Sequence, residues 1–375
     1  MHLLSDILGR PATDIDTPAL VIDLDAMERN LARMAAFAAR HGVQLRPHAK
    51  MHKSAVLAKL QMAHGAVGVC VQKTAEAEAL AALGVSNIYI SNEVVSPFKL
   101  KRVAALAREL QALGGQLAIA VDSAEGLRRL AQAMHGQHGV IRVFIEIDVG
   151  HGRCGLAPGV AAVPLVAEMA RHAALKFGGL QAYHGRAQHF RTVAERREGI
   201  AQVVAHVETT KAALKCAGFA VPLVTGAGTG TFSLEAASGV YGELQAGSYL
   251  FMDRDYAGNE PDPAQPVFEH ALFVKSQVMS VSTSHAVVDA GHKSHAIDSG
   301  LPAVHGLALD YANGGDEHGI LRGAVLPALG DTVWLIPGHC DPTVNLHDHL
   351  VGVRGGLQHG TVEQLIKVDA RGALT

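Results

Sequence analysis

The chain has 375 residues, enough for one large domain with a smaller companion or for two of middle size. Lys and Arg number 32 against 35 Asp and Glu, a net charge of −3 with neither a basic tract nor an acidic tail, which argues against nucleic-acid and membrane-surface partners. Hydrophobic residues make up 49% and charged residues 18%, so a sizeable core can form, and no apolar run approaches the roughly 20 residues that span a bilayer.

Residues 1–18 carry Asp6, Asp14 and Asp16 and lack a basic–apolar–small pattern, so no secretory leader is expected. Residues 17–24 (TPALVIDL) read as a strand ahead of the first regular unit, free to pair with a later β region. Short β-branched runs then alternate with Ala/Leu-rich amphipathic stretches. Strands are expected at 43–48, 66–71, 87–91, 116–121, 141–148, 177–183, 221–225 and 243–251. Helices are expected at 55–63, 74–83, 97–113, 124–134, 160–172 and 193–217. Eight such units over roughly 225 residues match a closed α/β (β/α)8 TIM barrel. An open doubly wound sheet is the competing architecture; the unit count and the lack of any order reversal favour the barrel. Residues 256–266, rich in Pro, Asp, Gly and Asn, read as a linker. Alternating strands follow at 271–281, 285–289, 331–336 and 350–353, giving a C-terminal mostly-β domain. The expected division is a barrel over 26–253 and a β-rich unit from 1–25 plus 254–375. Cys70, Cys154, Cys216 and Cys340 are scattered without a CxxC pair, which fits a reduced cytoplasmic setting.

A parallel barrel carries its site at the C-terminal ends of its strands. Those ends are polar here: Arg46 to Lys53 after the first, Gln72 after the second, Asn92 after the third and Gly150–Gly155 after the fifth. Tyr183-His184-Gly185 follows the sixth strand, Gly226–Gly230 the seventh, and Gln245–Tyr249 lies in the eighth. One such residue alone is an ordinary loop polar group; six or seven aimed at one mouth point to a site. Lys50 is the sharpest candidate. Desolvation and the cationic neighbours Arg46, His48, His52 and Lys53 are expected to lower its pKa and make it a Schiff-base nucleophile. Lys53 is the competing lysine, and a plain surface role the bland alternative. GAGTG (226–230) has the composition of a phosphate cradle, with Thr229 adding a hydroxyl and Gly247-Ser248 completing it. Glu243 keeps a ribose-binding reading open. In PGHCDPT (337–343), His339 and Asp341 are two apart, so an extended segment turns both one way and Cys340 the other, a pair suited to Mn²⁺, Mg²⁺ or Zn²⁺. His347, Asp348 and His349 form a rival cluster. His184 and His189 are candidate general bases.

These positions resemble the D-threonine aldolase and D-serine dehydratase family, fold-type III pyridoxal-phosphate (PLP) enzymes built like alanine racemase. The resemblance is carried by TPALVIDLD (17–25), RPHAKMHK (46–53), GVCVQKTAEAE (68–78), SNEVV (91–95) and EIDVGHGRCG (146–155). It continues through QAYHGRAQH (181–189), GAGTG (226–230), SGVYGELQAGSYLFMD (238–253), DEHG (316–319) and PGHCDPT (337–343). HxD at the metal pair resembles the aldolase branch, since eukaryotic-type D-serine dehydratases resemble HxC there. Ala227 departs from the family's GGGTG.

The resemblance implies that Lys50 binds PLP as an imine, with Gln72, Arg153 and Tyr183 around the ring and Arg153 near its phenolic oxygen. It implies that Gly228, Thr229, Gly247 and Ser248 hold the phosphate, and that His339 and Asp341 bind a divalent cation, usually Mn²⁺. It also implies a homodimer with the site at the interface, Asp316 and His318 reaching the partner's cavity. The implied activity is retro-aldol cleavage of a D-3-hydroxy amino acid to glycine and an aldehyde, with His189 taking the β-hydroxyl proton. The alternatives are β-elimination by a D-serine or D-3-hydroxyaspartate dehydratase and a 3-hydroxy-D-aspartate aldolase. A PLP-binding protein without turnover would lack the appended β region, and a dinucleotide-dependent oxidoreductase would need a fingerprint that is missing.

Overall fold

The computed structural model describes residues 4–375, so the parts of the expected N-terminal segment and β-rich unit that fall on residues 1–3 lie outside it. Strand β1 (Ala19–Asp23) leads straight into an 18-residue helix, Leu24–His41. Asp23 caps that helix by accepting the Ala26 N–H at 3.0 Å, and Gly42 ends it in the left-handed region at φ 64°. Its buried face of Met27, Leu31, Met34 and Phe37 packs in the core shared by barrel and β sheet. The sequence reading missed this helix.

Eight parallel strands follow: β2 (Gln44–Leu45), β3 (Val69–Val71), β4 (Asn87–Glu93), β5 (Gln116–Val121), β6 (Ile141–Glu146), β7 (Leu175–Ala182), β8 (Val224–Gly226) and β9 (Glu243–Leu244). β9 lies beside β2, and the last gap is bridged by His48 and Cys70, with the Val67 N–H reaching Leu45 O at 2.8 Å. The ring therefore closes, and the open-sheet alternative falls away. The fold is the expected (β/α)8 barrel.

Two expected strands stop early. Residues 46–48 leave the β2 ladder at its polar end, and β9 ends at Leu244, because Gly247 turns the chain into a short 3₁₀ helix, Ser248–Leu250. The apolar run Tyr249-Leu250-Phe251 imitated a strand because it is wholly buried; it packs in the core with helix Leu24–His41, whose Asn30 donates to Leu250 O at 3.2 Å.

The second sheet is antiparallel apart from one pairing. Its strands are β10 (Leu272–Val281), β11 (Ala286–Val288), β12 (Ala303–Val304), β13 (Asp310–Asn313), β14 (Gly319–Arg322), β15 (Thr332–Ile336), β16 (His349–Arg354) and β17 (Thr361–Lys367). β1 inserts between β10, antiparallel, and β16, parallel, so the early strand does join the C-terminal sheet. Strands β12, β13, β14 and β17 were not anticipated; three are four residues or shorter, and short polar strands carry little periodicity. Among the described residues, no helix is long and apolar enough to cross a membrane.

Candidate active site

The strand ends and the β sheet enclose a cavity of 370 Å³. Lys50, Gln72, Arg153, Tyr183, His189, Gly228, Thr229, Gly247, Ser248, His339 and Asp341 all line it. The barrel contributes the first nine, and the turn after β15 contributes His339 and Asp341.

Lys50 sits in a 3₁₀ turn, Ala49–Met51, and its Nζ lies 3.1 Å from Asp341 Oδ2. Asp341 raises the lysine pKa and outweighs the opposing effect of burial, so the expected lowering is overturned. The assumed cationic ring fails for a geometric reason. Arg46 is buried and paired to Glu243 at 2.9 Å inside the barrel, Lys53 is buried against Glu76 at 2.9 Å, and His52 meets Gln61 at 3.2 Å. Those pairings also remove Lys53 as a competing nucleophile and Glu243 as a ribose ligand. His48 alone of the four faces the cavity; its Nε2 meets the Gln72 amide at 2.8 Å, and burial holds its pKa well below the usual imidazole range.

The metal pair does not come together on an extended segment as expected. His339 is the N-cap of the short helix Cys340–Val344, and Asp341 lies in its first turn, so the start of the helix sets their spacing. His339 Nε2 and Asp341 Oδ1 are 3.8 Å apart, and His339 Nδ1 meets Asp298 Oδ2 at 2.7 Å. Asp341 Oδ1 is buried without a hydrogen-bond partner. An imidazole nitrogen held by a carboxylate behind it, facing an orphaned carboxylate oxygen, is a donor set that fits a divalent cation. Cys340 does turn away, its Sγ 3.2 Å from Asp253 Oδ2. The rival cluster is engaged elsewhere: His347 meets Ser294 O at 2.8 Å and Asp348 pairs with Arg371 at 2.7 Å.

Around the rest of the cavity, Arg153 lies over the Tyr183 ring at 5.7 Å. Thr229 Oγ1 accepts the Tyr249 N–H at 3.0 Å, tying the seventh strand end to the eighth. A side chain at Gly228 would meet Gln188 Oε1 at 2.5 Å, and one at Gly247 would meet the His48 carbonyl at 2.7 Å. Ala227 holds φ 70°, a conformation natural to the glycine it replaces. A single lysine amine, an aromatic–guanidinium wall and a tightly packed glycine loop fit an aromatic aldehyde that carries a phosphate.

His189 Nδ1 lies 2.6 Å from Asp255 Oδ2, and its ring stacks on Tyr256 at 5.7 Å. Burial pushes the Asp255 carboxyl up, but hydrogen bonds from His189 and Arg191 outweigh it and hold the group at about 2. Asp255 therefore stays ionised and takes the Nδ1 proton's hydrogen bond, leaving Nε2 to accept. His184, the other candidate base, is buried and does not line the cavity. Sequence reasoning missed Asp255 and Tyr256: Tyr256 opens the segment 256–266 that reads as linker, and Asp255 directly precedes it. Asp253-Arg-Asp-Tyr, an acidic cap opening a one-turn helix over Arg254–Ala257, was the available signal.

A lysine-bearing cavity at the mouth of a (β/α)8 barrel, completed by an appended β sheet, defines the alanine racemase-like class. The family description "Alanine racemase, N-terminal domain" matches residues 22–255, and "Putative serine dehydratase domain" matches 271–353. The chain is 44% identical over 369 residues to D-threonine aldolase of Arthrobacter sp, covering 97% of this chain and 95% of that protein. It is 41% identical to 3-hydroxy-D-aspartate aldolase of Paracoccus denitrificans, over 97% of this chain and 94% of the relative. The crystal structure of D-threonine aldolase from Filomicrobium marinum superposes with a TM-score of 0.94 at 47% identity, covering 98% of this chain and 99% of that one. The chain belongs to the D-threonine aldolase and D-serine dehydratase family.

Proposed function

We propose that this protein is an aldehyde-lyase that cleaves D-3-hydroxy amino acids of the D-threonine type to glycine and an aldehyde. The observation that carries this reading is the 3.1 Å approach of Lys50 to Asp341, which sets the lysine that lines the cavity against the His339–Asp341 pair. Lys50 would hold PLP covalently; Gln72, Arg153 and Tyr183 would surround its ring, and Gly228, Thr229, Gly247 and Ser248 would hold its phosphate. His339 and Asp341 would hold a divalent cation, Mn²⁺ first and Mg²⁺ or Zn²⁺ as alternatives. Bound there, the two groups would supply an electron sink for the pair released from Cα–Cβ and a Lewis acid for the β-hydroxyl.

His189 does the proton work. Asp255 fixes the ring with Nδ1–H directed to the carboxylate, so Nε2 accepts the β-hydroxyl proton as the Cα–Cβ bond breaks. Lys50, whose amine faces the cavity beside Asp341, would return a proton to Cα. We further read the chain as a cytoplasmic homodimer of two units, 26–253 and 1–25 plus 254–375; four cysteines without a disulfide support the reducing compartment. Asp316 and His318 are exposed and do not line their own chain's cavity, which leaves them available to a second copy.

A second reading, 3-hydroxy-D-aspartate as substrate, is favoured by Arg186, an exposed cavity residue that forms no salt bridge among the described residues. Incubation with D-threonine, D-serine and D-3-hydroxyaspartate, with and without a chelator, tests the whole reading. Acetaldehyde and glycine should form from D-threonine, fail on chelation and return with Mn²⁺. Formation of 2-oxobutanoate and ammonia instead would make the enzyme a dehydratase.

A further inference from the structure

Away from the cavity, the ends of β4, β5 and β6 gather a second set of ligand-type groups. One donor atom each from Glu93, Asp122 and Cys154 lies within 4.8 Å of the others. Glu146, at the end of β6, is 4% exposed, and its carboxyl faces that of Glu93. Neither oxygen of Glu93 nor Oε2 of Glu146 meets a donor from outside the cluster, so only protons held by Glu146 or Cys154 can serve them. The other Glu146 oxygen is 3.8 Å from Arg153 Nη2, beyond hydrogen-bond reach. Asp122 Oδ2 accepts the Gly155 N–H at 3.1 Å, which leaves its second oxygen for another partner. None of the four residues lines the cavity.

Three carboxyl groups this close, with one guanidinium 3.8 Å from Glu146, cannot all ionise without a further positive charge. Shared protons would serve two carboxyls. Asp122 and the Cys154 thiol, each with a donor atom within 4.8 Å of Glu93, add ligand-type groups that such proton sharing does not explain. Burial and the neighbouring carboxylates push both the Glu146 carboxyl and the Cys154 thiol upward, so the cluster strongly favours added positive charge.

We propose that Glu93, Asp122 and Cys154, with Glu146 beside Glu93, bind a divalent cation of the zinc class at a site separate from His339 and Asp341. Sulfur among the donors disfavours Mg²⁺ and Ca²⁺, which take oxygen ligands, and favours an ion of the zinc class. Binding releases the Cys154 proton to solvent, so affinity falls as the pH is lowered. The ion would pin the 150–155 loop, which carries Arg153, to the ends of β4 and β5.

The test uses the full-length protein, dialysed against a chelator and reloaded with Zn²⁺ or Co²⁺. Metal per subunit and the cobalt-minus-zinc difference spectrum are measured in wild type, Asp341→Asn, Cys154→Ala and Glu93→Gln, with circular dichroism as the check on folding. Wild type and Asp341→Asn should both show thiolate-to-cobalt charge-transfer absorption. Cys154→Ala should lose that band, and it and Glu93→Gln should each bind one equivalent less than wild type. If His339 and Asp341 hold no metal, Asp341→Asn leaves the count unchanged while Cys154→Ala still lowers it, so the two assignments fail separately. A second measurement needs no variant: Zn²⁺ should protect Cys154 of the wild type from alkylation, mapped by mass spectrometry. Equal alkylation with and without Zn²⁺, or no charge-transfer band in the wild type, would overturn the proposal.

Discussion

The barrel holds two polar regions, its interior and its mouth, and they treat their charges in opposite ways. In the interior, Arg46 bonds Glu243 at 2.9 Å and Asn87 at 2.8 Å, and Thr225 reaches the second Glu243 oxygen at 2.8 Å. Gln245 bonds Gln181 at 2.8 Å and Tyr89 bonds it at 3.0 Å, so the polar atoms answer one another. At the mouth, Asp341 Oδ1 has no partner and the Lys50 side chain is 44% exposed to the cavity. A charge with a full set of partners holds the fold together, whereas one with capacity to spare faces a ligand.

Substitutions at the two regions should separate along this line. At the mouth, Lys50→Ala should abolish cleavage and the visible absorbance of bound PLP while leaving the melting temperature of the cofactor-free protein near that of wild type. An unchanged spectrum would move the role to another lysine. In the interior, Arg46→Met strands a buried carboxylate and should cost about 3–5 kcal/mol in denaturant unfolding. Pairing it with Glu243→Leu should recover much of that loss, and failure to recover would mean that the pair does more than balance charge.

Asp255→Asn should lower kcat on the order of 10²-fold by loosening His189, with KM moving less. A drop confined to KM would contradict the assignment of His189 as the base. The same variant carries a pH signature. The native Asp255 carboxyl, held at about 2, lies below its unfolded value of about 3.9, so its pairing stabilises the fold above about pH 4 and is lost as the pH falls towards 2. The gap in melting temperature between wild type and variant should narrow over that window; a constant gap would argue against the depressed value. The smallest effect belongs to Ala227→Gly. Relief of the positive φ and loss of a buried methyl offset each other, so stability should stay within about 1 kcal/mol.

Much of the cavity was legible in the sequence because its residues lie at strand ends, where a short run such as RPHAKMHK or GAGTG carries both the turn and the chemistry. What was not legible depends on partners far apart in the chain. The direction of the Lys50 shift hangs on Asp341, far along the chain, and the orientation of His189 hangs on Asp255, at the edge of a stretch whose composition imitates a linker. Burial also deceived: Arg46 and Lys53 look like members of a cationic cluster until the fold gives each its own carboxylate. Helix Leu24–His41 was overlooked although Asp23 and Gly42 bracket it with ordinary start and stop signals.

The most direct measurement is reduction of the PLP-loaded protein with borohydride, followed by peptide mapping in a mass spectrometer. The account predicts one added cofactor per chain, fixed on Lys50 alone. A label on Lys53 or on any other lysine, or a chain that takes up no label, would contradict it.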